Sequence, residues 1–226
     1  MAKRIWLAWS SGKDSALAFY TLRQGGRWDG FEVCALICTV TEDYGRVSMH
    51  GVRRELVLAQ AESIGMPLIE VPIPAKCTNE QYEEAMRLAL ERAINDGVVG
   101  VAFGDIHLAD VREYRERQMA QLGMLPIFPL WGEETGEVAI KFLSLGFKAI
   151  VICVDSEQLN PNLCGREYDE SFLGELPSSV DPCGENGEFH TFVYDGPIFV
   201  EPIEVRRGEI VMRDGRFAFC DLTMSG

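Results

Sequence analysis

The sequence predicts an α/β fold in which a doubly wound parallel sheet is followed by a smaller α+β unit. Apolar runs at residues 5–9 and 33–40 show no polar alternation, which is typical of strands buried on both faces of a parallel sheet. Amphipathic helical segments separate such runs, and one of them starts at Thr78, which forms a capping box with Gln81. Strands that alternate with helices form right-handed βαβ units, and these build a doubly wound sheet.

The first half of the chain supplies this predicted sheet. Its third strand contains Pro72, which favours an edge position because proline cannot donate to a neighbouring strand. The predicted strands are 5–9, 33–40, 68–73 and 98–103, followed by an apolar segment at 125–131. The predicted helices are 15–24, 50–64, 79–96 and 110–122.

The second half, residues 132–226, differs in character. A helix–strand unit at about 136–154 precedes a loop region rich in glycine, proline and acidic residues. The remaining predicted strands are short: 198–205, 209–213 and 216–220. Asp214-Gly215 separates the last two and is a strong hairpin signal. We therefore expect two domains, with a boundary near residue 131.

Charge and cysteine content limit the functional classes. The net charge is −14, and residues 132–226 carry 7 Lys+Arg against 18 Asp+Glu. An acidic half argues against a nucleic-acid substrate, although an acidic surface that only confers solubility is equally open. No apolar run approaches the roughly 18 residues of a membrane span. The seven cysteines contain no C-x-x-C pair, so we expect a cytoplasmic protein without membrane attachment.

The loop after the first strand, residues 10–15, is the clearest candidate site. Small residues followed by a helix start form an anion cradle, and Lys13 adds a cation that we expect to be mobile. The Walker and dinucleotide patterns are absent, so the ligand is a polyphosphate of another type. An ordinary strand–turn–helix junction is the alternative. Serine at position 11 would be disfavoured if the loop requires a positive φ.

Neighbouring strand ends should open onto the same crevice as this loop. Asp105 either contacts the nucleotide or caps the next helix, and His50 either contacts the nucleotide or lies in a helix-cap region. The candidate nucleotide-binding residues are Ser10, Ser11, Gly12, Lys13, Asp14, Ser15, Thr39, His50, Gly104 and Asp105.

Residues 10–15 resemble the PP-loop, S-G-G-x-D-S, of the ATP pyrophosphatases, which share the HUP-like fold of the adenine nucleotide alpha hydrolases. Ser11 stands where that family usually has its first glycine. The resemblance implies cleavage of ATP between the α and β phosphates. It also implies a catalytic role for Lys13, Asp14 and Ser15, and use of Mg²⁺, which Asp14 could orient.

A second motif lies in residues 163–166 and 184–192. From spacing alone, it could be only an acidic turn that leads into a strand. Together with the PP-loop, it resembles the diphthine–ammonia ligase family, which carries L-G-R and G-E-G-G-E-F-x-T elements. Asn186 replaces the second glycine of the latter. The substrate-side residues carried over by this resemblance are Gly165, Arg166, Glu185, Gly187, Glu188, His190 and Thr191.

The resemblance implies ATP-dependent amide synthesis, in which a substrate carboxylate is adenylated, pyrophosphate leaves, and ammonia displaces AMP. The acceptor in the family is diphthine on a translation elongation factor. Its quaternary ammonium would be attracted by the eight Asp and Glu residues at 157–191, where Arg166 is the one basic residue. Tyr168 or Phe189 could contact that cation. Arg166 could instead hold the reacting carboxylate.

Two other functions are compatible with the loop. One is a PP-loop enzyme that modifies tRNA, which the acidic charge and the absence of cysteine pairs disfavour. The other is a sensor that binds ATP or AMP without turnover. The acceptor, the ammonia source and the oligomeric state stay open.

Overall fold

The computed structural model describes residues 2–48 and 50–225, which form an α/β structure with two sheets. The strands are β1 (Lys3–Ala8), β2 (Phe31–Thr41), β3 (Arg46–Val47), β4 (Leu68–Ile73), β5 (Gly100–Ala102), β6 (Leu125–Ile127), β7 (Lys148–Asp155), β8 (Phe189–Asp195), β9 (Val205–Arg213) and β10 (Phe217–Met224). The α-helices are α1 (Lys13–Arg23), α2 (Arg54–Ile64), α3 (Asn79–Asn95), α4 (Ala109–Gln121), α5 (Thr135–Ser144) and α6 (Glu170–Glu175).

The first sheet is doubly wound, as the sequence predicted. Five parallel strands lie in the order β4-β2-β1-β5-β6, and the short β3 pairs antiparallel with the end of β2. Consecutive strands therefore move outward from β1 in one direction and then in the other. The reversal places a crevice at the carboxyl ends of β1 and β5, where ligands of such sheets bind.

Two local predictions in this sheet are confirmed. Strand β4, with Pro72, is an edge strand that pairs only with β2 among the described residues. The capping box at the start of α3 is complete. The Gln81 backbone N–H donates to Thr78 Oγ1 at 3.3 Å, and Thr78 N–H donates to Gln81 Oε1 at 2.9 Å. Two otherwise unpaired donors of the helix end are thereby satisfied.

The second half builds an antiparallel sheet in the order β8-β7-β10-β9. The predicted hairpin is confirmed: Asp214 and Gly215 have φ values of 53° and 65° between β9 and β10. The predicted strand at 198–205 is wrong. Proline at position 202 lacks an N–H, and the next donor, Ile203 N–H, bonds to Tyr194 O at 2.7 Å as part of a return loop. The strand that joins the sheet is β8, which precedes this loop.

The two halves share one apolar core. Residues of β1 and α1, such as Leu7 and Leu17, lie in the same buried cluster as Phe142 of α5 and Phe192 of β8. A second cluster, which includes Val101, lies on the other face of the parallel sheet beneath α3 and α4. The second half therefore covers one face of the sheet and leaves the other to two helices. In the described ranges no helix is long and apolar enough to cross a membrane.

Candidate functional site

The loop at residues 10–15 joins β1 to α1 at the crevice of the parallel sheet. Helix α1 begins at Lys13, and its N-cap residue is Gly12, which has no side chain to cap the first N–H groups. The loop is braced internally, because Ser10 Oγ and Ser15 Oγ are 3.2 Å apart and Ser15 Oγ donates to Gly12 O at 2.9 Å. A braced loop that leads into a helix whose N-cap residue has no side chain is a geometry that binds anions.

Ser11 has an unfavourable backbone conformation. Its φ is 70°, so this loop position does require the left-handed region in which serine is disfavoured. Its carbonyl accepts hydrogen bonds from Val193 N–H at 3.0 Å and from Gln60 Nε2 at 3.1 Å. Its hydroxyl is buried and has no hydrogen-bond partner among the residues that the structure describes. A buried hydroxyl without a partner is a candidate ligand contact.

Strand β8 of the second half closes over the loop. Thr191 is buried, and its Oγ1 accepts a hydrogen bond from Lys13 N–H at 3.1 Å. A Cβ on Gly12 would lie 3.1 Å from Thr191 O, so the strand passes tightly against the glycine. The two sequence motifs therefore meet in space, and Thr191 positions the loop at residues 10–15.

Lys13 is held in place rather than mobile, which corrects the expectation from the sequence. Its side chain is 4% exposed, and Nζ lies 2.8 Å from Asp14 Oδ2 and also donates to Cys183 O. Burial alone would lower the pKa of Lys13. The carboxylate of Asp14, with smaller contributions from Cys183 and Glu185, raises that pKa above its usual value. Lys13 is therefore a fixed positive charge at the loop.

The rings of Tyr168 and Phe189 face this lysine. Lys13 Nζ lies 6.0 Å from the Tyr168 centroid and 5.8 Å from the Phe189 centroid, and both rings are buried. Tyr168 Oη also donates to Pro182 O at 2.8 Å. The expectation that these rings would contact an external cation is therefore wrong, because they stabilise Lys13.

Gly104 and Asp105 reach the same crevice from the end of β5. A Cβ on Gly104 would lie 2.9 Å from the carbonyl carbon of Asp14, so only glycine allows this close approach. Burial raises the pKa of Asp105, against the effect of Arg115. Asp105 Oδ2 and Arg115 Nε are 3.7 Å apart, and neither has a hydrogen-bond partner among the described residues.

Glu185 joins these carboxylates from the second motif. Its Oε2 accepts a hydrogen bond from Ile106 N–H at 3.2 Å. Burial and the nearby Asp14 raise the pKa of Glu185 to about 7. The motif thus places a carboxyl that titrates near neutrality beside the PP-loop.

Two histidines from different halves lie together. The ring centroids of His50 and His190 are 4.5 Å apart at an interplanar angle of 61°. Burial, with Lys13 nearby, lowers the pKa of His190 to about 4, and burial and His190 lower the pKa of His50 well below its usual value. Both rings are therefore neutral at pH 7. His50 Nδ1 has no hydrogen-bond partner in the part of the chain that the structure describes.

Glu188 organises the second motif from within. It is buried, and its carboxylate accepts hydrogen bonds from Asp181 N–H at 2.9 Å and Asn186 N–H at 3.0 Å. The Asn186 amide donates to it as well, at 3.0 Å. Gly187 turns the loop with a φ of 83°. This carboxylate is already fully engaged by the loop, so Glu188 shapes the site rather than lining it.

The remaining predicted residues are not brought into contact with the loop. Arg166 pairs with Glu175 at 2.7 Å and donates to Ser171 Oγ at 3.3 Å. Gly165, with a φ of 80°, packs against Cys220 of β10. Thr39 lies near the end of β2, where its carbonyl accepts from Ser48 N–H at 3.0 Å. Their predicted roles stay predictions.

Two residues of the site escaped sequence reasoning. Gln60 of α2 is buried and bridges the loop to β8, because its Nε2 donates to Ser11 O and to Val193 O. Its Oε1 accepts from Trp9 Nε1 at 2.9 Å. Cys183 supplies the carbonyl that holds Lys13. Gln60 could have been found from the sequence, because it is a glutamine on the buried face of a predicted helix. The role of Cys183 could not, because a backbone carbonyl gives no signal in the sequence.

Two family models match the chain, one over each half. The diphthamide synthase N-terminal domain matches residues 3–126, and the diphthamide synthase C-terminal domain matches residues 134–223. The chain belongs to the diphthamide synthase family. Both site motifs of this diphthamide synthase family member lie inside the matched ranges.

Relatives with assigned names are similar over much of the chain. The diphthine--ammonia ligase of Bos taurus is 31% identical over 146 residues, covering 62% of this chain and 54% of the relative. That of Homo sapiens is 27% identical over 178 residues, covering 76% of this chain and 66% of the relative. The matches therefore span less than two thirds of either relative.

A solved structure is also similar, the predicted subunit of tRNA methyltransferase from Methanocaldococcus jannaschii. Its TM-score is 0.45 at 15% identity, and the likeness covers 66% of this chain and 80% of that one.

Proposed function

We propose that this diphthamide synthase family member is an ATP-dependent amide ligase of the diphthine–ammonia ligase type. In this reaction a substrate carboxylate oxygen attacks the α-phosphorus of ATP and pyrophosphate leaves. Ammonia then attacks the acyl carbon, AMP leaves, and the nitrogen loses a proton. The observation that carries the proposal is the PP-loop at residues 10–15, closed by Thr191 of the second motif.

The loop residues fit a nucleotide. Beyond the Lys13 N–H, which donates to Thr191, the start of α1 has no side-chain cap for its N–H groups. The Ser11 hydroxyl is buried without a described partner, and Gly104 leaves no room for a Cβ. These groups would hold the phosphates. Lys13 would stabilise the negative charge on the departing pyrophosphate from a fixed position, which is the preorganised electrostatics that phosphoryl chemistry requires.

Mg²⁺ would enter with ATP. The described ranges contain no group of three or more ligating side chains that could hold a metal ion by themselves. Magnesium in nucleotide sites usually takes one or two carboxylates and otherwise phosphate and water oxygens, a demand that Asp14 and Glu185 could meet. When bound, it would neutralise phosphate charge.

The acceptor we propose is a carboxylate on a cationic group, namely diphthine on a translation elongation factor. The relatives named diphthine--ammonia ligase and the acidic second half support this choice over a nucleic acid. The seven cysteines are free thiols, which supports a cytoplasmic location.

The test is incubation with ATP, Mg²⁺ and ammonium, with and without an elongation factor that carries diphthine. Formation of AMP and pyrophosphate that requires both the factor and ammonium is the expected result. Lys13→Gln should abolish it, whereas Lys141→Gln, which removes a surface charge from α5, should not. Release of ADP would contradict the proposal, and tight ATP binding without turnover would favour a sensor.

A further inference from the structure

A large cleft lies outside the PP-loop site, between α3 and α4. Its volume is about 470 Å³, which is in the range of small-molecule pockets. It lies over β5, on the sheet face that the second half does not cover. Its apolar floor is formed by buried side chains: Leu90, Val101, Phe103 and Met119.

The cleft exists because the two helices bury little apolar surface. Among the described residues, α3 contributes Leu90 and Ala93 as buried side chains and α4 contributes Met119. Long polar side chains stand on the facing sides instead. The helices are thus held to the sheet at a few points, and the space between them stays open.

The charge in the cleft is negative after internal pairing. Arg87 is paired with both Glu84, at 2.7 Å, and Glu91. Glu83 accepts hydrogen bonds only from neutral donors among the described residues, Tyr114 Oη at 3.4 Å and Gln118 Nε2 at 3.1 Å. These donors orient the Glu83 carboxylate but leave its charge uncompensated.

Arg115, the other cation of the lining, stacks on a ring of the cleft floor. Its guanidinium lies 4.8 Å from the Phe103 centroid, and its Nε is 3.7 Å from Asp105. Glu80 adds a further negative charge at the start of α3. The lining therefore holds more negative than positive side chains, with a net charge of −2: Glu80, Glu83, Glu84 and Glu91 against Arg87 and Arg115.

Aromatic rings form the other part of the lining. The Arg115 guanidinium stacks on Phe103, and the Arg117 guanidinium lies 5.9 Å from the Tyr114 centroid. Aromatic rings of this region therefore form cation–π contacts. Tyr82 also lines the cleft and has no cation over it among the described residues. Tyr82 directly precedes Glu83 on α3, and both side chains line the cleft.

We propose that this cleft binds a weakly hydrated organic cation, an ammonium group that carries alkyl substituents. Carboxylate charge attracts such a group, aromatic faces stabilise it, and the apolar floor receives its alkyl part, whereas a small hydrated ion would gain nothing from that floor. The proposal does not depend on the amide ligase reaction.

The test compares choline with 3,3-dimethylbutan-1-ol, its neutral isostere, in titrations of the full chain followed by amide chemical shifts. Choline should bind saturably in the millimolar range and shift amides of α3 and α4. The isostere should bind at least about fivefold more weakly, because it retains shape and loses charge. Equal affinity for the two probes would overturn the proposal.

Two variants localise the effect. Glu83→Gln keeps the side-chain shape and should weaken choline binding about fivefold or more, and Tyr82→Leu should weaken it by a similar factor. Glu113→Gln changes the same charge on α4 outside the lining and should leave affinity unchanged. If Glu83→Gln and Glu113→Gln bind choline equally, the cleft is not the site. If the cleft is closed by a second copy of the chain, sedimentation shows a dimer and choline shifts no amide there, which also contradicts the proposal.

Discussion

Ser11 has a backbone conformation that its side chain disfavours. A serine at φ 70° costs roughly 1–2 kcal/mol relative to an ordinary conformation. Its carbonyl is held from two sides, by Val193 and Gln60, so the surrounding structure imposes this geometry. Strain of this kind is maintained where a loop must present its backbone to a ligand.

Ser11→Gly should therefore stabilise the protein. Glycine adopts positive φ without penalty and removes the buried hydroxyl, so we expect a gain of about 1 kcal/mol over Ser11→Ala. Urea unfolding of the two variants and the parent measures it. Since Ser11→Ala also removes the hydroxyl but keeps the strain, equal stabilities would show that the backbone is not strained.

Glu185 should make nucleotide binding depend on pH near neutrality. Its pKa is raised to about 7, so it becomes negative as the pH rises from 6 to 8. Because that charge lies beside the loop, ATP in the absence of metal should bind several-fold more weakly at pH 8 than at pH 6. Calorimetric titration in the presence of EDTA measures this.

Glu185→Gln should flatten that profile, whereas Glu209→Gln, an exposed position on β9, should retain it. An unchanged slope in Glu185→Gln would assign the pH dependence to another group.

At the scale of elements, the joint between β8 and α1 unites the two motifs. It rests on the hydrogen bond from Lys13 N–H to Thr191 Oγ1 and on the close approach of Gly12 to the strand. Any change that separates the strand from the helix start alters the loop at residues 10–15 and the second motif together.

Thr191→Val tests this joint with little change in shape. Valine leaves the buried Lys13 N–H without its acceptor, which should cost about 1–3 kcal/mol of stability and weaken ATP binding. Thr191→Ser keeps the hydroxyl and should retain ATP affinity. Thermal unfolding and ATP titration check both, and equal ATP affinity for the two variants would show that the hydroxyl is dispensable.

Elements that depend on local chemistry could be predicted from the sequence, whereas elements that depend on long-range pairing could not. The capping box of α3, the edge position of Pro72 and the Asp214-Gly215 hairpin depend on local chemistry and are confirmed. The strand β8 and the loop at 198–205 depend on long-range pairing, which local apolar content does not reveal.

The candidate site shows the same division. The position of the PP-loop followed from strand, turn and helix signals. The burial of Lys13 did not, because it depends on Cys183 and two rings that are more than 150 positions away in sequence. A functional residue can be named from a motif, but its mobility depends on tertiary packing.

At the scale of the molecule, Asp221 ties the two halves together. This β10 residue lies 3.0 Å from Arg46 and 2.6 Å from Arg53, both in the first half. Hydrogen bonds from Arg53 and Arg46 lower the pKa of Asp221 to about 2, from 3.8. The folded state therefore favours the ionised form of Asp221, and this carboxylate stabilises the contact between the halves.

Asp221→Asn should lower the free energy of unfolding by about 2 kcal/mol at pH 7. Because the folded pKa lies below the unfolded one, this contribution is complete above pH 4 and disappears as the pH falls through 2. Urea unfolding between pH 2 and 7 should show parent and variant converging at the acid end. Asp96→Asn, an exposed change outside any such pair, serves as control. A stability difference that does not vary with pH would contradict the proposed linkage.

The hydrogen bond between Lys13 and Thr191 forms late in synthesis of the chain. It joins positions 178 apart, and ribosomes add about 5–20 residues per second. Roughly 10 to 35 s therefore separate the synthesis of the PP-loop from that of the strand that closes it. During that interval the nascent first half carries the loop at residues 10–15 without the Thr191 hydroxyl to which the Lys13 N–H donates.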